Sequence, residues 1–381
     1  MYSLENYVGA LLRLRPGLTV TGFDDLTPVQ QEECSGHTED PEFFGLLVTA
    51  GKSGVPDRAL SRDAALLLQT LVEPRRVPHL LTSMFGDDAQ RRVMTLILDG
   101  VLEIERNGDF ILGPEAVPAL PAAANESGIT SRIDELSIAA LRYGLRMEGL
   151  SIPELAARLY LYNRIPATAD MLRDLHSADV IEAYIAPDLG TRTTFARDWQ
   201  VTRFGTSWLV GLRVESDEAL AYKLYISPDH ASLPEVFVPA LESLKRNDCH
   251  QFKIGSSVTN LMRADKFVAY FPNFDAMYQA ARCLLESLPE VPAQGVPFTG
   301  AIDPNGLVSW GMDPPRASIP GYRSVSWREW VAERIATCLS GAIRPVSTDP
   351  VGFVKIRLAL EGVDVTTWAP TPATVGGWRV D

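Results

Sequence analysis

Ala221-Tyr222-Lys223-Leu224-Tyr225-Ile226, Gln251-Phe252-Lys253-Ile254 and Asp265-Lys266-Phe267-Val268-Ala269-Tyr270 share one pattern, a lysine set into an apolar run. In a strand, alternate side chains share a face. Lys223 and Tyr225 therefore point together, opposite Tyr222, Leu224 and Ile226. Lys253 points opposite Phe252 and Ile254. Lys266 points opposite Phe267 and Ala269, on the side of Tyr270. These segments predict a sheet with one apolar face for the core and one cationic face that meets an anion.

The flanking sequence supplies the rest of an α+β layer. A further predicted strand, Ser207–Val214, is joined to the first of these segments, read as Ala219–Ile226, by the polar turn Glu215-Ser216-Asp217-Glu218. A helix opened by Ser232 and Pro234 carries Val236, Phe237, Ala240, Leu241 and Leu244 on one face. The helix after Asn273 carries Phe274, Met277, Tyr278, Ala281, Leu284, Leu285 and Leu288. That stripe has helical spacing and covers the apolar side of the sheet, so its Met and aromatics are core residues. Residues 289–321 read as a long, functional loop rich in Pro and Gly. Ser326-Trp327-Arg328-Glu329 then opens a helix with a capping box, which puts Arg328 in the first turn.

The N-terminal part has a different character. Residues 57–115 predict a helix from Ser61 to Pro74, a short helix around Val77–Met84 and a third capped by Asp87. Leu102–Arg106 and Asp109–Leu112 flank Asn107-Gly108, a hairpin signal. Three helices and a hairpin read as a winged-helix module. Seven Arg against ten Asp/Glu in 57–115 argue against DNA binding. Peptide capture by strand addition along the hairpin edge fits better, beside a plain packing role. Gly113–Ser131 reads as a linker and 131–183 as helical. The predicted architecture is α+β: a winged-helix-like domain over 1–125, then over 126–381 a helical middle and an antiparallel or mixed sheet covered by helices.

Composition narrows the function. The 381-residue chain has a net charge of −13, so any anion is met by a local patch, and nucleic acid is not an expected partner. Residues 245–266 supply such a patch in Lys245, Arg246, Lys253, Arg263 and Lys266, against Asp248 and Asp265. The four cysteines and five histidines show no metal-ligand spacing, so neither metal nor cofactor is expected. No Gly-rich phosphate loop, HExxH, nucleophile elbow or kinase catalytic loop occurs. The N-terminus lacks a secretory pattern and no apolar run spans a bilayer, so the expected compartment is the cytoplasm, away from membrane.

What remains is the constellation Lys223, Tyr225, Lys253, Arg263, Lys266, Tyr270, Arg328 and Arg334. Arg forks match phosphate oxygens and Lys supplies point charge. Read one at a time, these are also ordinary solvated side chains, and Arg334 has Glu329 and Glu333 for company.

Leu159-Tyr160-Leu161-Tyr162-Asn163-Arg164-Ile165-Pro166, the Lys-x-Tyr strand, Trp310-Gly311-Met312-Asp313-Pro314-Pro315 and Ser326-Trp327-Arg328 resemble the HopA-type effector family over about 150–345. Relatives of that family occur in thioamitide and class V lanthipeptide biosynthesis, pathways of ribosomal peptide natural products. There they work beside a separate kinase to dehydrate Ser and Thr of a precursor peptide. The same residues more distantly resemble bacterial phosphothreonine lyases. That resemblance implies Lys253 as the catalytic base and Lys223, Arg263, Lys266, Tyr270, Arg328 and Arg334 as the phosphate-binding set. Tyr225 stands where the lyases carry a general-acid histidine, so it either donates a proton or orients the substrate.

The function so implied is β-elimination of phosphate from phosphoserine or phosphothreonine, giving dehydroalanine or dehydrobutyrine. The implied partners are the phosphorylated precursor peptide and a kinase, in complex. The alternatives are a non-catalytic phosphopeptide-binding adaptor or kinase-complex subunit, a secreted effector and a transcription regulator. The distances among the side-chain ends of Lys223, Lys253 and Arg263 discriminate among these readings.

Overall fold

The computed structural model describes residues 10–49, 57–86, 89–119, 131–187, 197–205, 207–213, 220–288, 290–314, 325–340 and 349–378. Packing divides the chain into two units, residues 1–126 with 338–361, and residues 127–337 with 362–381.

In the first unit, β1 (Leu12–Leu14) precedes an antiparallel meander of β2 (Leu18–Gly22), β3 (Phe43–Thr49) and β4 (Arg58–Ser61). The Ser61 hydroxyl accepts from the Ala64 amide (3.3 Å) and starts the helix Arg62–Thr70. Helices His79–Phe85 and Ala89–Leu98 follow. The Asp87 cap lies outside the described residues. The chain then forms the hairpin β5 (Leu102–Arg106) and β6 (Asp109–Ile111), with β1 paired on the far side of β5. Asn107 and Gly108 both have left-handed backbones, φ 56° and 91°, as a two-residue turn between twisted strands requires. Leu67, Leu68, Val93, Met94 and Ile97 are buried. The start of the expected linker is a 3-10 helix, Gly113–Ala119, and 120–130 lie outside the described residues. The helix Pro350–Leu360 belongs to this unit, where Arg357 and Arg58 both pair with Asp99.

The second unit begins with helices Arg132–Leu145, Ile152–Tyr160, Ala169–Asp174 and Ala178–Ile185. Its sheet has seven strands: β7 (Gln200–Phe204), β8 (Trp208–Leu212), β9 (Tyr222–Ile226), β10 (Gln251–Gly255), β11 (Phe267–Phe271), β12 (Gly300–Ala301) and β13 (Val308–Met312). They lie in the order β12-β13-β9-β11-β10-β8-β7. Every pairing is antiparallel, so the sheet is not mixed. β8 and β9 are not hairpin partners, because β11 and β10 stand between them. β10 and β11 are largely buried, and a strand of that composition lies more stably with both edges paired than with one open to water. The expected turn 215–218 lies outside the described residues.

One face of this sheet is the core. Tyr222, Leu224, Ile226, Phe252, Ile254, Phe267, Ala269 and Phe271 belong to one buried cluster with the helices Leu233–Arg246 and Phe274–Ser287. Those helices contribute Phe237, Ala240, Leu244, Met277, Ala281 and Leu284. Each large side chain buried there contributes about 1.5–3 kcal/mol. Asn273 caps the second helix by accepting from the Ala276 amide (2.9 Å). Tyr278 sits at the rim of its stripe, 40% exposed and stacked on Phe274. With this face filled, the side chains of opposite parity are left to build a site.

Candidate active site

Across the other face, registered pairs set Lys223 beside Tyr270, Tyr225 beside Val268, Val268 beside Lys253, and Trp208 beside Gly255. Lys223 on β9 and Lys253 on β10 are separated by β11, which puts their backbones roughly 10 Å apart. Their side chains lean back together. Both ammonium groups face the Tyr270 ring, at 5.4 Å for Lys223 and 5.9 Å for Lys253. Lys253 also faces Trp208 at 4.7 Å, and Arg263 faces the same ring at 5.4 Å. Arg263 and Arg328 both lie over Tyr160, at 5.3 and 4.8 Å. Three aromatic rings thus link four cations drawn from two strands, a loop and a helix. Each such contact is worth about 0.5–2 kcal/mol.

Four cations repel one another unless anions are interleaved. Asp265 is one. It takes Arg263 Nε on Oδ1 and Nη2 on Oδ2, both at 2.8 Å, and Arg328 Nη1 at 3.3 Å. The Tyr160 hydroxyl donates to Asp265 (3.1 Å) and accepts from Arg263 (3.0 Å). Burial alone pushes the Asp265 carboxyl up, but Arg328 and Arg263 outweigh it and hold the group well below the usual carboxylate range. Burial and the Asp265 charge push the Tyr160 phenol up to about 12. Asp313 is the second anion. It pairs with Lys223 and accepts the Trp327 amide (3.0 Å) at the start of the helix Trp327–Ser340. One carboxylate therefore ties a cationic strand to the helix that carries Arg328.

Two groups are left unanswered. The Lys253 ammonium has no hydrogen-bond or ion-pair partner among the described residues, although most of the side chain is buried. Burial, then the Lys223 charge, pushes it below the ordinary lysine range. Arg263 adds to that effect, and Lys266 is not among its causes. Tyr225 packs with Ala264, Val268, Val296 and Tyr270, and its buried hydroxyl has no hydrogen-bond partner among the described residues. Burial, then Asp313, raises it well above the usual phenol value, so it stays protonated and keeps a hydrogen to donate. An unsatisfied buried hydroxyl costs about 1–3 kcal/mol, which a ligand oxygen would recover.

The structure does not bring the whole predicted set together. Lys266 has the right parity but precedes the first residue of β11, where the chain bends away. Its ammonium is fully buried and donates to the Pro228 carbonyl (2.8 Å) and to Gln294 Oε1. Burial pushes it down to about 7. Arg334 lies over the Trp330 ring of its own helix, at 5.1 Å. Lys245 and Arg246 pair with Asp198 and Glu242. Tyr160, Trp208, Asp265 and Asp313 complete the group and carried no assigned role in the sequence. Tyr160 and Asp313 sit inside motifs that did mark the region, and Asp265 is two residues from Arg263. Among the described residues, no group of three or more His, Cys, Asp or Glu could hold a metal ion.

Arranged this way, Lys223, Arg263 and Arg328 are each tied to a carboxylate, and Lys253 stands beside the same rings as an amine without one. No known family model matches the chain, and no curated protein does. Among solved structures, an effector protein from Pseudomonas syringae pv. tomato strain DC3000 is similar over 63% of this chain and 99% of its own, at 13% identity and a TM-score of 0.36. One from Pseudomonas syringae pv. syringae strain 61 matches over 64% and 99%, at 14% identity and the same TM-score, 0.36. The type III effector/phosphothreonine lyase OspF from Shigella flexneri matches over 47% of this chain and 90% of its own, at 12% identity and a TM-score of 0.26.

Proposed function

We propose that this protein is a phosphoserine/phosphothreonine lyase acting on a kinase-primed ribosomal precursor peptide. The observation that carries the reading is Lys253: a mostly buried, unpaired amine with a depressed proton affinity, linked through the Tyr270 and Trp208 rings to Lys223 and Arg263. The neutral amine removes the Cα proton. The C–H electrons form the Cα=Cβ bond as the Cβ–O bond breaks. Phosphate leaves into Lys223, Arg263 and Arg328, where the developing charge is stabilised. Tyr225, always protonated here, donates a hydrogen bond to the departing or enolate oxygen. The products are inorganic phosphate and dehydroalanine or dehydrobutyrine.

The substrate peptide is phosphorylated by a separate kinase, held in complex. The three helices and hairpin of the first unit, in the winged-helix reading, hold an unmodified part of the same peptide along the β6 edge. The compartment proposed for this chemistry is the cytoplasm. No helix among the described residues is long and apolar enough to cross a membrane.

Incubation with phosphorylated precursor should release phosphate and give the dehydrated peptide, read by mass spectrometry. Lys253→Ala should slow this about 100-fold or more. Elimination by Lys253→Ala at the parent rate would remove the base assignment.

A second reading, a phosphopeptide-binding adaptor for the kinase, draws on Tyr225. The strongly raised phenol there makes a poor acid for the leaving group. This reading predicts phosphopeptide affinity without turnover, and affinity retained in Lys253→Arg.

A further inference from the structure

The site face of the sheet changes character at Lys253. On one side lie the charged groups described above. On the other, toward the open edge at β7, the same face runs through Val210 and Leu212 of β8, then Trp208, then Thr202 and Phe204 of β7. None of these five is charged. Register places Lys253 opposite Val210 and Val210 opposite Thr202, while Trp208 stands opposite Phe204. Phe204 is 74% exposed, a high value for a phenylalanine on a strand, and Val210, Leu212 and Trp208 are only half buried.

We infer that this shelf takes the peptide segment flanking the phosphorylated residue, and that it selects an apolar or aromatic neighbour. The inference rests on the lyase reading of the same site and adds its substrate preference. The geometry leaves little choice. In a phosphoserine or phosphothreonine, Cα is two bonds from the ester oxygen. An amine at Cα and a phosphate among Lys223, Arg263 and Arg328 fix the residue across the boundary at Lys253. Tyr160, Asp265 and Arg328 are bonded to one another within the site, and the uncharged strands beside Lys253 are the surface left for the peptide chain. Trp208 already touches the base from the shelf side (4.7 Å), so the two surfaces are continuous. A neighbouring side chain of Leu or Phe size would cover Phe204 and Trp208 and remove exposed apolar surface from water. A lysine neighbour would lose its hydration there without finding a partner, and an aspartate would meet cations only at the Trp208 end, where Lys253 and Arg263 stand.

The test uses the full chain and synthetic phosphothreonine peptides of one length, with Leu, Phe, Ser, Asp or Lys on either side of the phosphoresidue. Binding is measured by calorimetry on Lys253→Ala, so it is read whether or not elimination occurs. Phosphate release is measured on the parent. Leu or Phe flanks should bind about tenfold more tightly than Asp or Lys flanks. Phe204→Ser should erase most of that difference while keeping the parent melting temperature, since this side chain is mostly in water. Equal affinity across the flank series, or an unchanged preference in Phe204→Ser, overturns the shelf. Absence of phosphate release with the flank preference intact overturns the lyase reading and leaves the shelf standing.

Discussion

Arg263 and Asp265 meet through two parallel hydrogen bonds of 2.8 Å, a fork-to-fork contact, although they are only two residues apart. Arg328, from 63 residues further on, reaches the same carboxylate. Asp265 is therefore the counter-ion that lets two guanidinium groups share one ring. Asp265→Asn removes that charge from a buried site and leaves both arginines uncompensated. The expected loss is about 3–5 kcal/mol, read by chemical denaturation. The sign with pH is fixed by the lowered carboxyl. Its stabilisation is fully present above the unfolded carboxylate value and is lost as pH falls through the much lower folded one. Asp265→Asn should therefore flatten the acid limb of the stability curve.

Lys253 must be neutral to accept a proton. Its proton affinity is lowered first by burial and then by Lys223, so activity should rise with pH along a limb centred below the ordinary lysine value of 10.5. Lys223→Gln removes the neighbouring charge and should move that limb to higher pH, apart from any loss in phosphate affinity. The pH profile of kcat reports the shift. A limb that stays in place in Lys223→Gln would show that Lys223 does not tune the base.

Lys266 should leave its mark on stability. Its folded value of about 7 lies below the unfolded 10.5, so between those limits the unfolded chain binds the extra proton. Stability should then rise with pH across that window and level off below it, where both states are protonated. Lys266→Met should shrink the slope. Lys253 contributes with the same sign, so the slope diminishes without vanishing. Denaturant titrations at the two ends of the window measure it.

Tyr225→Phe separates stability from activity. The hydroxyl is buried and unsatisfied, so its removal should leave stability unchanged or raise it by about 1 kcal/mol. The same change should lower kcat about 10- to 100-fold if the hydroxyl donates to a reacting oxygen. Thermal melts and single-turnover rates on one preparation decide the matter.

Much of this arrangement was legible in the residues. Two-fold alternation assigned Lys223, Tyr225 and Lys253 to the face opposite Leu224, Phe252 and Phe267, because a pleated strand admits no other division. The helices that cover the core followed from spacing, and the Asn107-Gly108 turn from backbone chemistry. Strand order was not legible: alternation describes a strand and is silent about its neighbours. The same silence hid the counter-ions. Tyr160 and Asp265 are 105 residues apart, and nothing local marks one as the partner of the other. Lys266 was misplaced because alternation was carried one residue past the end of a strand, where its warrant stops.

Placing β11 between the strands of Lys223 and Lys253 has a consequence for how the molecule is made. Neither lysine can be brought to its working distance by a local hairpin. The two meet only once a later segment of chain has inserted between them and zipped to both. The juxtaposition of the two lysines is therefore a product of sheet closure, absent from any nascent chain that ends before Phe271, and the closing step must bring like charges together as it proceeds.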